Sequence, residues 1–103
     1  IRNKAGNFVR PVPETFNATA AAADWTVPNF AADTIDLALP NVWPATSPTY
    51  ILLPTNPVAD RVAGSRNTMR FFDWAFRNGS QTAASLEYIP LPSSAHDLVR
   101  AAW

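Results

Sequence analysis

Asp73 and Glu87 are the carboxylates whose chemistry comes first to mind, because two acids flanking a substrate can divide acid and base roles between them. Their setting argues otherwise. Asp73 falls in a helical repeat on the side opposite Met69, Phe72 and Phe76, where a solvated charge is ordinary. His96 is the only histidine and no cysteine is present, so a metal site lacks the imidazole and thiolate ligands it normally takes. His96 is expected on the surface of a final helix. Ser93 and Ser94 could hold an anion at that helix's start, but capping accounts for them. With only Gly6, Gly64 and Gly79 available, no glycine-rich phosphate loop can form.

The hydroxyl run Thr46-Ser47-Pro48-Thr49 could contact an anion, but arginine and helix N-termini dominate most anion sites and no contact is expected of it. Four tryptophans and the Phe71, Phe72, Phe76 group could stack sugars or bases. At helical spacing they are expected to be core. Asn17-Ala18-Thr19 and Asn78-Gly79-Ser80 match the short glycosylation sequon, which matters only in a eukaryotic secretory host. No catalytic, ligand-binding or metal-binding residue and no cofactor is assigned, and nucleophile, base and oxyanion donor cannot be assembled into a phosphate-ester enzyme.

The elements that must position these residues follow from length and pattern. A chain of 103 residues is one small domain or a piece of a larger one, since domains run to about 100 to 200 residues. Hydrophobic residues make up 48% of it, enough for a packed core. Eight basic and eight acidic residues cancel, leaving no field to draw the chain onto nucleic acid or anionic lipid. The runs Ala20 to Ala23 and Tyr50 to Pro54 fall far short of the roughly 20 residues that span a bilayer, so a soluble chain is expected. The start at Ile1 carries neither an initiator methionine nor a signal-peptide core and reads as an interior position.

Lys4 to Asn7 is expected to turn and Phe8 to Arg10 to extend, with Pro11 and Pro13 delaying a helix from Glu14 to Asp24 that Trp25 closes. Thr26 to Pro48, with four prolines, reads as loop with short regular pieces. Thr49 to Leu53 reads as a buried core strand. Asp60 is placed as N-cap of a long helix with Val62, Met69, Phe72 and Phe76 inward, widened by Phe71 and Ala75. That helix is expected to stop at Asn78-Gly79, where glycine accepts a left-handed conformation. A short helix follows from Ser80 to Leu86. The last, capped by Ser93 or Ser94, runs to Trp103 with Leu98, Val99 and Ala102 inward and Asp97 and Arg100 outward.

Several phrases taken together carry a resemblance: Ala22-Ala23-Asp24-Trp25, Trp43-Pro44-Ala45-Thr46, Arg70-Phe71-Phe72-Asp73-Trp74-Ala75-Phe76, Tyr88-Ile89-Pro90-Leu91-Pro92 and Val99-Arg100-Ala101-Ala102-Trp103. In order and spacing they resemble the C-terminal portion of the periplasmic phosphate-binding proteins that serve phosphate ABC importers. The likeness is thinnest over 27–41 and 55–65. The resemblance implies an α/β fold of the two-lobed, type II periplasmic-binding-protein kind, of which this chain is the C-terminal part. Residues 1–46 would finish the second lobe, and 47–103 would supply a hinge-crossing strand and the C-terminal helices of the first.

The same resemblance implies inorganic phosphate as ligand, held by residues of the missing N-terminal part, and an ABC permease of the inner membrane as partner. It also implies a periplasmic location and no enzymatic activity. From the residues alone, a noncatalytic structural or interaction module without a ligand of its own stands as the alternative.

Overall fold

A computed structural model describes all 103 residues. Asn3 organises the N-terminal hairpin turn and ties it to a distant loop. Its backbone N–H donates to the Asn7 carbonyl at 2.9 Å, its Oδ1 accepts from the Asn7 N–H at 3.0 Å, and its Nδ2 donates to the carbonyls of Leu39 and Pro40 at 3.0 and 2.8 Å. Asn3 is buried with these groups satisfied, as a polar side chain taken out of water requires. The expected extension at Phe8 to Arg10 is reduced to one antiparallel bridge between Arg2 and Phe8.

Helix α1 spans Pro13–Ala22. Pro13 stands at its first position, where the missing N–H costs nothing, and Thr15 Oγ1 donates to the Arg10 carbonyl at 2.7 Å. Thr19, fully buried, joins α1 to the following loop: its hydroxyl accepts from the Trp43 N–H at 3.0 Å and donates to the Thr15 carbonyl at 2.9 Å. Trp25 packs where α1 ends, as expected. Its indole Nε1 donates to the Ala20 carbonyl at 2.8 Å, one of the carbonyls that a helix C-terminus leaves free. A 3-10 turn at Pro28–Phe30 and a bridge between Ile35 and Ala45 are the regular pieces of the next stretch.

No β-strand forms, and Thr49 to Leu53 is the clearest departure from expectation. The segment is unpaired and Leu52 is 92% exposed. A strand exists through ladder hydrogen bonds to a neighbour, and the chain has no second strand to offer. The α/β layering implied by the resemblance is therefore not realised within these residues, which are mostly helical and loop.

The second half is three helices. Helix α2, Val62–Asn78, follows a 3-10 turn at Ala59–Arg61. Arg61 occupies its N-cap position and no side chain caps it, so the role expected of Asp60 is not filled. Asn78-Gly79 does end α2, but for another reason than expected. Gly79 has an ordinary φ of −87°, and a Cβ there would lie 2.6 Å from the Ala75 carbonyl oxygen, so glycine permits a close approach and not a left-handed turn. Helix α3, Ser80–Ser85, starts at once.

Helix α4, Ser93–Ala101, begins after Pro92 with no serine cap bond. Its inward residue is Ala95, 1% exposed, whereas Leu98 and Ala102 face out. Ala95 joins Ala23, Trp25 and Ala32 in the main apolar cluster, with Val27, Phe30 and Leu91 packed around it. α4 thereby clasps the N-terminal half. The rest is thinly covered: 11 of 103 residues are buried, and the Cα radius of gyration is 15.7 Å against about 13 Å for a compact chain of this length.

Candidate functional site

A cleft of about 310 Å³ opens beside the end of α1. Phe16 and Trp25 form its apolar floor, the segment Thr46 to Thr49 one wall, and Glu87 to Ile89 with Leu91 the other. The run Thr46-Ser47-Pro48-Thr49 lies along this cleft. Two hydroxyls of the cleft lining are occupied: Thr34 Oγ1 donates to the Thr46 carbonyl at 2.8 Å and Thr46 Oγ1 to the Trp43 carbonyl at 3.3 Å. The adjoining Tyr50 hydroxyl donates to the Phe30 carbonyl at 3.1 Å, which ties the extended segment to the turn where Asn29 and Phe30 both have positive φ.

No arginine or lysine lines this cleft, and Glu87 is its acid. Its field therefore opposes an anion. Glu87 sits at φ +64°, an uncommon value for a residue with a Cβ.

Glu87 and Asp73 do not share a site. Asp73 forms the joint between α2 and α4: Arg100 Nε donates to its Oδ1 at 2.8 Å, and Arg77, one turn along α2, reaches its Oδ2 at 3.0 Å. Both Asp73 and Arg100 are about 30% exposed. Asp73 is thus no freely solvated charge, and Arg100, expected outward, turns to α2. Partial burial pushes the Asp73 carboxyl up, but hydrogen bonds from Arg100 and Arg77 and their charges outweigh it and hold it below the ordinary carboxylate range. An acid so held is a poor proton donor near neutrality.

His96 lies flat on Phe76, ring centroids 4.3 Å apart and planes 13° from parallel. It is half-buried, not simply a surface residue. Burial and the Arg100 charge push its pKa down, against the opposing pull of Asp97. Trp103 stacks on Phe76 at 5.9 Å, so the C-terminal aromatic closes the same seam. Phe71 and Trp74, by contrast, are each 58% exposed and stack on one another at 6.3 Å. Core placement holds for Phe72 and Phe76 in part and fails for Phe71. No group of three or more His, Asp or Glu side chains could hold a metal ion, and no helix is long and apolar enough to cross a membrane.

Over its whole length the chain is similar to solute-binding proteins of one kind. The particular relatives are phosphate-binding proteins named PstS. The protein from Pasteurella multocida is 36% identical over 108 aligned positions, covering 100% of this chain and 30% of that protein. Its counterpart from Haemophilus influenzae is 33% identical over 108 positions with the same coverage, and one from Xylella fastidiosa is 36% identical over 110 positions, 28% of its length. The chain matches their C-terminal part and spans about 30% of the length of these curated relatives. No protein-family model matches the chain. The resemblance read from the sequence is borne out, and these relatives are named as binding proteins, not as enzymes.

Proposed function

We propose that this chain is the C-terminal part of a periplasmic receptor that binds inorganic phosphate and delivers it to an ABC permease. Residues 1–46 complete the second lobe, and 47–103 carry the chain across the hinge and return it to the first. Phosphate is held by residues of the preceding polypeptide, and the chain itself contributes no ligand group, cofactor or catalytic residue. Its part is mechanical: hinge closure around ligand moves two lobes as bodies, and the segment at Ser47 to Leu53 is the connection that bends.

Similarity along the entire chain to phosphate-binding proteins carries this reading. Surface area supports it. The chain exposes 7468 Å² at 11.2 kDa, whereas a folded monomer of that mass exposes about 5,700 Å². The excess, about 1,800 Å², is the scale of one face of a large permanent interface. Unpaired Thr49 to Leu53 and exposed Phe71 and Trp74 are the surfaces that an α/β first lobe would cover.

A chimera tests the proposal. The matched C-terminal part of the Pasteurella multocida protein is replaced by this chain, and phosphate binding is measured by titration calorimetry with sulfate as control. Binding of one phosphate with the parent's preference supports the reading. A folded chimera that binds no phosphate, beside a parent that does, overturns it.

The Ala23, Trp25, Ala32, Ala95 cluster, which joins both halves, favours a second reading: a self-standing interaction module with no ligand. That reading requires one cooperative unfolding transition of the 103-residue chain, indifferent to phosphate.

A further inference from the structure

Helix α2 has three faces, and the third is polar in an unusual way. Met69, Phe72 and Phe76 lie on one side, with Phe76 against His96 of α4, while Phe71 and Trp74 stand on another. Between them Arg66, Arg70, Asp73 and Arg77 follow at i, i+4, i+7 and i+11, a single stripe on a helix of 3.6 residues per turn. Asp73 is already satisfied by Arg77 and Arg100. Arg66 and Arg70 are exposed and make no ion pair within the chain. They rim an open cavity of about 290 Å³ whose other walls are Met69, Trp103 and Asp73, the last with its charge already met by Arg77 and Arg100, and Trp103 is 42% exposed.

We propose that this edge docks an acidic segment of a protein partner, its carboxylates on Arg66 and Arg70 and an apolar side chain in the cavity against Met69 and Trp103. Three features select that occupant. Four arginines against two aspartates on the α2 edge and its α4 neighbour, with Asp73 and Asp97 both engaged by Arg77 and Arg100, leave Arg66 and Arg70 asking for added negative charge, in a chain whose total charge is zero. The stripe from Arg66 to Arg77 runs about 16 Å, too long for one small anion and suited to a line of carboxylates. Side chains on one face of an extended peptide recur every ~7 Å, close to the ~6 Å between Arg66 and Arg70 along the axis. Guanidinium forks pair carboxylates in a fixed plane, so register is specified as well as charge. The inference stands apart from the phosphate reading, since none of these residues faces the cleft.

The test is binding of a fluorescent peptide of alternating glutamate and alanine with one central phenylalanine. It is measured on this chain and on the chimera, with helix content of every variant checked by circular dichroism. The expected result is salt-sensitive binding that R66Q/R70Q weakens about tenfold, that R66E/R70E abolishes, and that R2Q/R10Q, with the same net charge change, leaves intact. No binding by either protein, or equal loss in R2Q/R10Q, overturns the proposal. Binding to vesicles of phosphatidylcholine and phosphatidylglycerol that R66Q/R70Q removes, with the peptide ignored, overturns it in favour of a membrane surface. Phosphate titration of the same chimera reports the transport reading separately.

Discussion

Arg100 Nε donates to Asp73 Oδ1 at 2.8 Å across 27 residues of sequence, and this pair is the polar fastening between α4 and α2. One partner's removal leaves the other with only its same-helix contact, Arg77 for Asp73 and Asp97 for Arg100, and the tie between the helices is lost. Asp73→Asn and Arg100→Gln are each expected to lower the midpoint of thermal unfolding by about 4 °C, and the double variant by clearly less than the sum. Additive losses in the calorimeter would refute the coupling. The Asp73 carboxyl is held below its ordinary value of 3.8, so this contribution is complete above that pH and is lost as pH falls through and below it.

His96 supplies a second pH dependence, in a different window. Its folded pKa lies below the ordinary 6.5, so the unfolded chain takes up its proton first and stability falls as pH drops below 6.5. Above that value the imidazole is neutral in both states and the contribution is whole. The urea midpoint is therefore expected to fall between pH 7.5 and about pH 5, and His96→Phe, which keeps a ring against Phe76, to flatten that slope. An unchanged slope in the variant sinks the assignment.

The glycines of α2 separate two effects that are easily confused. Gly79→Ala brings a Cβ within 2.6 Å of the Ala75 carbonyl oxygen and is expected to cost about 1 to 3 kcal/mol. Gly64→Ala meets nothing within 4 Å inside the helix and is expected to stabilise by about 0.5 to 1 kcal/mol. Equilibrium urea unfolding of both distinguishes them by sign.

Thr19→Val keeps volume and removes the hydroxyl that accepts from the Trp43 N–H and serves the Trp43 carbonyl. The loss is expected at about 1 to 3 kcal/mol. Amide exchange at Trp43 should accelerate in the variant, and slow exchange there would show that the Thr15 carbonyl alone, at 3.2 Å, suffices.

Periodicity and punctuation made the four helices legible in the sequence, each within one to three residues of its bounds, because helical hydrogen bonds close locally. Trp25 at the end of α1 was legible for the same reason. Thr49 to Leu53 was not: its apolar run is that of a buried strand, but strand pairing is a property of two segments and the chain holds one. Asp73 was misread because the helical wheel shows which face it occupies on α2 and not that Arg100 comes to meet it. Ala95, small and unassuming in sequence, is the most buried residue of α4 because it is the one that joins the cluster of Ala23, Trp25 and Ala32. That Thr46 to Thr49 faces Glu87 to Leu91 across a cleft was not legible, as no local pattern marks a wall whose opposite side lies forty residues on.

The bare backbone at Thr49 to Leu53 also sets how concentrated this chain can become. Its row of unsatisfied N–H and C=O groups, with Tyr50, Ile51 and Leu52 exposed, is a template on which another copy can add as a strand. Pro48 and Pro54 confine that template to five residues, since proline cannot donate to a ladder. Self-association would thus begin at a short, fixed address, and whatever strand covers that address acts as the molecule's own chaperone.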